Sequence, residues 1–267
     1  GLSAAVFEGA PSTGVRDALL AYRNDDGGFG HGLEGDKVVP SSTPLDVETA
    51  FEVMDMAGSV DRAVVAKACD FLAASADDAG MVPLVFEDML EYPHAVHWDQ
   101  IPRTPGVNPT AGLAGLLWKW DIEHPWRAVG SAGVWKSLDD GLPTEVHAVK
   151  EALRFLEHQP DRGRAEALVP IVADALPRLF MMQLEPGAAD YGLTPLDMAP
   201  GPESMWRRLF DDRVLDAFLD DLEGRQQPDG GWPIAWEPPG QVHLSGWRAR
   251  VTIEALHTLR AWGRLPS

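Results

Sequence analysis

The chain has 267 residues, is 45% hydrophobic and carries a formal net charge of −19. That is ample material for a core, but it leaves no basic face for nucleic acid or an anionic membrane surface. No apolar run reaches the roughly 18 residues of a membrane span, and no charged leader with an apolar stretch opens the chain.

Gly1 in place of Met is read as a trimmed or processed end. The single cysteine, Cys69, cannot form an internal disulfide and fits a reducing compartment, so a cytoplasmic location is expected. Its helical surroundings, Ala68 and Phe71-Leu72, make it a buried small hydrophobe.

In chain order, apolar spacing predicts a helix over 14–23, then a Gly/Asp/Ser/Pro loop over 24–43. Pro44 opens a helix to about Ala57, with Gly58 as its cap. Asp61 starts the next helix. Residues 82–107 read as a long loop with a short helix near 87–91. Helices follow over 110–120, from Pro125 to about Leu138, and from Pro143 through Leu156. A helix over 164–180 should be kinked or split by Pro170 and Pro177. Residues 183–206 are a second long loop, 212–226 a helix, 233–245 a loop, and 247–262 the last helix, stopped by Gly263 and Pro266. Roughly nine or ten helices and no alternating strand make the fold class all-α.

Two layers of repetition organise these helices. Arg23-Asn24-Asp25-Asp26-Gly27-Gly28-Phe29 is matched by Gln226-Gln227-Pro228-Asp229-Gly230-Gly231-Trp232, with a decayed copy over 75–81. The helices beyond the turns also correspond. Thr49, Thr110 and Thr252 fall at the same place, and Thr43-Pro44-Leu45-Asp46 recurs as Thr194-Pro195-Leu196-Asp197. The unit is helix, Gly-rich turn, loop, helix. Closed on itself, such an array gives inner and outer helix rings, an α/α toroid spanning 1–267 as a single domain.

Gln226-x-x-x-Gly230-x-Trp232 resembles the QW motif of the terpenoid cyclase and protein prenyltransferase superfamily, including its short single-toroid prenyltransferase-like members. The resemblance implies an apolar isoprenoid or meroterpenoid substrate in a central cavity and acid-initiated cyclisation or rearrangement. The Asp-x-Asp-Asp-Thr-Ala segment of class II cyclases corresponds to Leu45-Asp46-Val47-Glu48-Thr49-Ala50, so Val47 stands where the family places its proton donor. Asp46 and Glu48 are the remaining carboxylates, though Asp46 also suits a helix first turn. The zinc set of protein prenyltransferases has no counterpart around Cys69. Asp211-Asp212 and Asp220-Asp221 read as a solvated face.

Position supplies a constellation at the expected helix starts: Asp46 and Glu48, Asn108, Glu145 and His147, and Arg248 and Arg250. Asp46, Glu48, Glu145 and His147 are the catalytic candidates, as desolvated acids or bases. Asn108, Arg248 and Arg250 would bind substrate, the arginines as carboxylate or phosphate clamps. Each has a plainer reading as a cap, a surface group or an ion-pair partner. Trp232, Trp236 and Trp247 form an expected aromatic wall, able to stabilise cationic character. His31 and Glu34, in the first long loop, could cover the cavity. His94, His97 and Asp99 cluster in the second loop without a further ligand pair, so no metal site is expected. No cofactor is expected, and Mg²⁺ enters only for a diphosphate substrate. Two alternatives stand beside the cyclase: a non-catalytic toroid binding a ligand or protein, and a carbohydrate-active α/α barrel with Glu48 and Glu145 as its carboxylates.

Overall fold

The computed structural model describes residues 2–265; Gly1 and Pro266, the latter an expected helix stop, lie outside them. Among the described residues there are helices, 3₁₀ turns and isolated bridges but no strand, and the fold is all-α. None of these helices is long and apolar enough to cross a membrane. The fold divides into two compact units on either side of the Gly141–Leu142 bond.

The first unit holds α1 (Leu2–Phe7), α2 (Thr13–Leu20), α3 (Pro44–Met56), α4 (Arg62–Ser75), α5 (Val107–Lys119) and α6 (Pro125–Asp140). Local chemistry sets the starts. The Asp61 carboxylate accepts from the N–H groups of Ala63 and Val64. Proline in the first turn opens α3 and α6, where a missing N–H costs nothing. Helix α3 packs on α5 and α4 on α6, while α3–α4 and α5–α6 pair as neighbours, so alternate helices fall into two layers. Phe51, Leu72, Leu113 and Leu117 are fully buried between them. Each contributes roughly 1.5–3 kcal/mol by leaving water. Cys69 is buried in the same core, and desolvation pushes its thiol up to about 12.

The second unit holds α7 (Val146–Glu157), α8 (Arg162–Ala167), α9 (Val169–Ala175), α10 (Pro195–Met198), α11 (Asp212–Gly224) and α12 (Gln241–Ala261). Trp206, in the 3₁₀ turn Met205–Leu209, is buried and donates its indole N–H to the Leu153 carbonyl at 2.9 Å. That bond anchors the turn to α7.

The repeated turns share one hydrogen-bond plan. Asn24 N–H donates to Gly28 O at 3.0 Å, Asp77 N–H to Met81 O at 2.9 Å, and Gln227 N–H to Gly231 O at 2.9 Å. Gly27, Gly80 and Gly230 take the left-handed position, with φ of 91°, 76° and 84°. The second copy is therefore 76–82, one residue later than expected, and closes on buried Val82 rather than Met81. The last residue of a turn is held by a helix threonine. Val82 N–H donates to Thr110 Oγ1 at 2.9 Å, and Trp232 N–H to Thr252 Oγ1 at 3.0 Å. The two layers of repetition thus meet at a hydrogen bond. The Gln226 side chain donates to Gly230 O at 3.0 Å, satisfying a turn carbonyl.

These turns differ in how closely they are packed. A Cβ on Gly27 would lie 2.4 Å from the Lys67 carbonyl oxygen, whereas one on Gly230 would meet nothing within 4 Å. Both pay the left-handed penalty of about 1–2 kcal/mol, but only Gly27→Ala adds a backbone clash. Thermal denaturation should therefore show Gly27→Ala as clearly the more damaging; equal losses would contradict the packing described.

Several boundaries differ from expectation. Helix α12 starts at Gln241, six residues early, because Ser245 and Gly246 are carried inside it; Ser245 Oγ bonds back to Gln241 O at 3.2 Å. Arg248 and Arg250 consequently lie within the helix, not at its start. Helix α7 begins after Glu145 rather than at Pro143, since the Glu145 carboxylate caps the N–H groups of His147 and Ala148. The 164–180 segment divides into α8, α9 and a 3₁₀ turn, Leu176–Arg178, with its prolines at the new starts. The loop over 183–206 contains α10, whose Thr194–Asp197 capping box repeats the Thr43–Asp46 pairing of α3.

Candidate functional site

In the first unit, the loop after α2 folds inward and buries a cluster of charge. Glu34, Asp36, Lys37, Asp46 and Glu48 are all buried, Lys37 and Asp46 completely. The second long loop seals it. Val38 N–H donates to Pro93 O at 3.1 Å and Ala95 N–H to Asp36 O at 2.7 Å, over an apolar patch of Val39, Val85, Met89, Ala95 and Trp98.

Asp46 is fully engaged. It pairs with Lys37 and accepts from Thr43 Oγ1 at 2.7 Å and from Glu34 N–H at 2.8 Å. All three donors are spent on this one carboxylate, so its bonding capacity is used within the loop and helix start. A neighbouring buried carboxyl, Glu34, is strongly shifted. Burial pushes the Glu34 carboxyl up to about 7; Lys37 opposes this, and Asp36 and Asp46 add to it. Glu48 is buried on the same helix.

Glu34 gives a pH dependence of definite sign. Its folded value lies above the ordinary 4.5, so the folded chain holds a proton that the unfolded chain releases between these values. Stability from this group falls as pH rises from about 4.5 to 7, by on the order of 3 kcal/mol. Glu34→Gln should remove that slope, matching the parent below pH 4.5 and exceeding its melting temperature at pH 8. A variant less stable than the parent at pH 8 would overturn the assignment.

In the second unit a chain of rings is assembled. The Glu145 carboxylate accepts from His147 Nδ1, and His147 Nε2 lies 2.8 Å from the Tyr191 hydroxyl. The His147 and Tyr191 rings are nearly parallel, 8° apart. Tyr191 meets Trp236 edge-on at 5.4 Å, and Trp236 meets Trp247 edge-on at 5.0 Å. The Arg250 guanidinium lies 5.3 Å from the Trp247 ring centre and donates to Glu254 at 2.8 Å. Five expected residues, Glu145, His147, Trp236, Trp247 and Arg250, are brought together here. Tyr191 was not anticipated.

The electrostatics fix the direction of this chain. Burial acts to raise the Glu145 pKa, but the His147 ring and the N–H groups of His147 and Ala148 outweigh it, and the carboxyl is held below its ordinary value. His147 Nδ1 lies against that carboxylate as donor, and in the neutral ring Nε2 accepts from the Tyr191 hydroxyl. Burial pushes the Tyr191 phenol up to about 12, so it is protonated at neutral pH. The result is a carboxylate–imidazole–phenol chain ending beside Trp236, which in turn packs on Trp247.

The other expected residues have local partners. Arg248 donates to both Asp229 carboxylate oxygens at 3.0 Å and, at 3.4 Å, to Trp232 O, bracing the third turn. Trp232 is buried and donates to Leu222 O at 2.7 Å, which makes it a joint rather than a wall. Asn108 heads α5 with an extended backbone, half-buried. His31, exposed and with a left-handed φ of 58°, bonds Asn24 Oδ1 at 2.9 Å. His94 is engaged by Tyr92 O and Asp99, while His97 lies 3.9 Å from Asp36. Among the described residues no three His, Cys, Asp or Glu side chains are grouped to hold a metal ion.

No family model and no curated protein matches the chain. A crystal structure of a protein from Actinoplanes is similar, with a TM-score of 0.57 over 97% of this chain and 88% of that one, at 19% identity. That likeness establishes a shared fold and nothing further.

Proposed function

We propose that the protein is an enzyme that moves protons on an apolar small molecule of isoprenoid or meroterpenoid type, in a cyclisation or rearrangement, at the Tyr191 end of the second-unit relay. The observation that carries this reading is the Glu145–His147–Tyr191 chain ending against Trp236, with Trp247 packed behind it. Indole faces bind an apolar chain and lower the energy of cationic character beside them. Tyr191 is placed to take a proton from such a species as its own passes to His147, and to return one in the reverse direction. The two-layer order of α3 to α6 supports reading the helices as α/α hairpins of the toroid class. The terpenoid-cyclase likeness of the Gly230-x-Trp232 turn supports the substrate class.

Incubation with a panel of prenyl alcohols, prenylated phenols and their diphosphates in D₂O tests this. Consumption of one member with deuterium incorporated into its product is expected. Binding without consumption or exchange would instead favour a ligand-binding protein, since the same indoles serve that role without the relay.

A further inference from the structure

The second long loop leaves and re-enters the first unit at one place. Gly106 N–H donates to Val82 O at 3.2 Å, a bridge pairs Pro83 with Pro105, and Val82 is held by Thr110 of α5. Residues 84–104 therefore hang from a closed neck. They also carry a core of their own. Val85, Met89, Ala95 and Trp98 pack together, apart from the main core, and are joined from outside by Val39 and Leu45. Charges within the segment pair with each other, Arg103 with Glu87 and His94 with Asp99. A segment built this way can open as a unit, at a lower cost than unfolding the domain.

Its attachment to the first loop centres on Asp36. Besides the Val38–Pro93 and Ala95–Asp36 bonds, Ser41 Oγ donates to Asp88 at 2.6 Å. His97 lies 3.9 Å from the Asp36 carboxylate, an ion pair when the imidazole is protonated. Asp36 is also the link inward, since its N–H donates to the Glu34 carboxylate at 3.1 Å. The charges acting on the Glu34 carboxyl are Lys37 and Asp36 of its own loop and Asp46 of α3, and Glu48 is buried further along α3. Loss of the Glu34 proton thus sets a third anion beside one cation in a buried space.

We propose that 84–104 is a proton-controlled flap, closed on the first loop while Glu34 is protonated and His97 charged, and released as a unit when both give up their protons. Opening at Asp36 hydrates Glu34, so its raised value of about 7, against the ordinary 4.5, belongs to the closed form. The closed form is favoured at low pH and loses ground as pH rises from about 4.5 to 7, beyond which the contribution of Glu34 is level. Deprotonation of His97 acts in the same direction, by removing the cation that the flap sets against Asp36. The flap belongs to the first unit and does not depend on the second-unit relay.

The test is amide exchange by NMR on the intact protein from pH 5 to 8, each rate divided by the intrinsic rate at that pH. The Val38 and Ala95 amides report the flap, and those of Leu113 and Leu117 in α5 report the core. Protection at Val38 and Ala95 should fall at least about tenfold over this range, while Leu113 and Leu117 stay at least about tenfold better protected throughout. Glu34→Gln should remove most of that fall. His97→Gln, a change at a half-exposed side chain, should lower flap protection at pH 5 and leave the Glu34 part of the fall in place. Flap protection that is independent of pH in the parent, or that falls as far in Glu34→Gln, would overturn the proposal. A common exchange rate for all four amides would do so too, because the unit would then open only as a whole.

Discussion

Lys37→Met is expected to lower the stability of the first unit by about 3–5 kcal/mol. Lys37 and Asp46 are both 0% exposed and form an ion pair. Methionine matches the length of the lysine stem and removes only the charge. Asp46 would keep its bonds from Thr43 and from Glu34 N–H but lose its buried cation, with Glu34 and Asp36 buried close by. The cost is that of the abandoned charge, not of lost packing. Pairing the change with Asp46→Asn should therefore recover part of the loss, and a double-mutant cycle in chemical denaturation measures the coupling. A second consequence follows from the same pair. Lys37 is the group that restrains the rise of the Glu34 pKa, so in Lys37→Met the pH slope assigned to Glu34 should extend to higher pH. A single-variant loss below about 1 kcal/mol would mean that the pair is not buried as described.

Tyr191→Phe is expected to lower turnover by about 10²–10⁴-fold, with little change in KM. The substitution removes one hydroxyl and keeps the ring against Trp236. Binding to the aromatic wall is retained while the relay loses the group that faces substrate. Trp247→Ala should behave in the opposite sense, raising KM, because it removes wall and leaves the relay. His147→Gln combined with Tyr191→Phe should cost little more than either change alone, since a relay broken at one link is broken throughout. If Tyr191→Phe and Trp247→Ala altered KM alike and left kcat unchanged, the rings would be a binding surface only.

Much of the fold could be read from the residues, because the signals were local. Pro44, Asp61 and Pro125 announce helix starts through φ restriction and capping, and the structure places starts there. The turn repeat was legible as well, but its second copy slipped by one residue. The fixed point of the turn is the left-handed glycine, Gly80, and not the bulky residue that follows it. Helix α12 began early because Ser245 and Gly246 look like a break, whereas a long helix tolerates two weak formers. The site was less legible. Glu145 and His147 lie two apart in sequence, and their pairing is local. Tyr191 reaches His147 across 44 residues of chain, from a loop whose own pattern carries no period. Its one signal was rarity, as one of three tyrosines in the chain. Glu34 was visible as a loop carboxylate, but its raised pKa comes from burial, which a loop sequence rich in Gly, Asp, Ser and Pro does not announce.

The threonine bond that closes the second and third turns spans 28 residues at Thr110 and 20 at Thr252. The closure is the same, although one intervening segment is eight residues longer. For a flexible segment, that difference in closure entropy costs only about 0.3 kcal/mol. The joint itself therefore sets no length for the segment that it frames. A few extra residues placed beyond Trp236, between Glu237 and Gly240, should be accepted with little loss of stability. The joint is thus a frame whose geometry is independent of the length that it encloses.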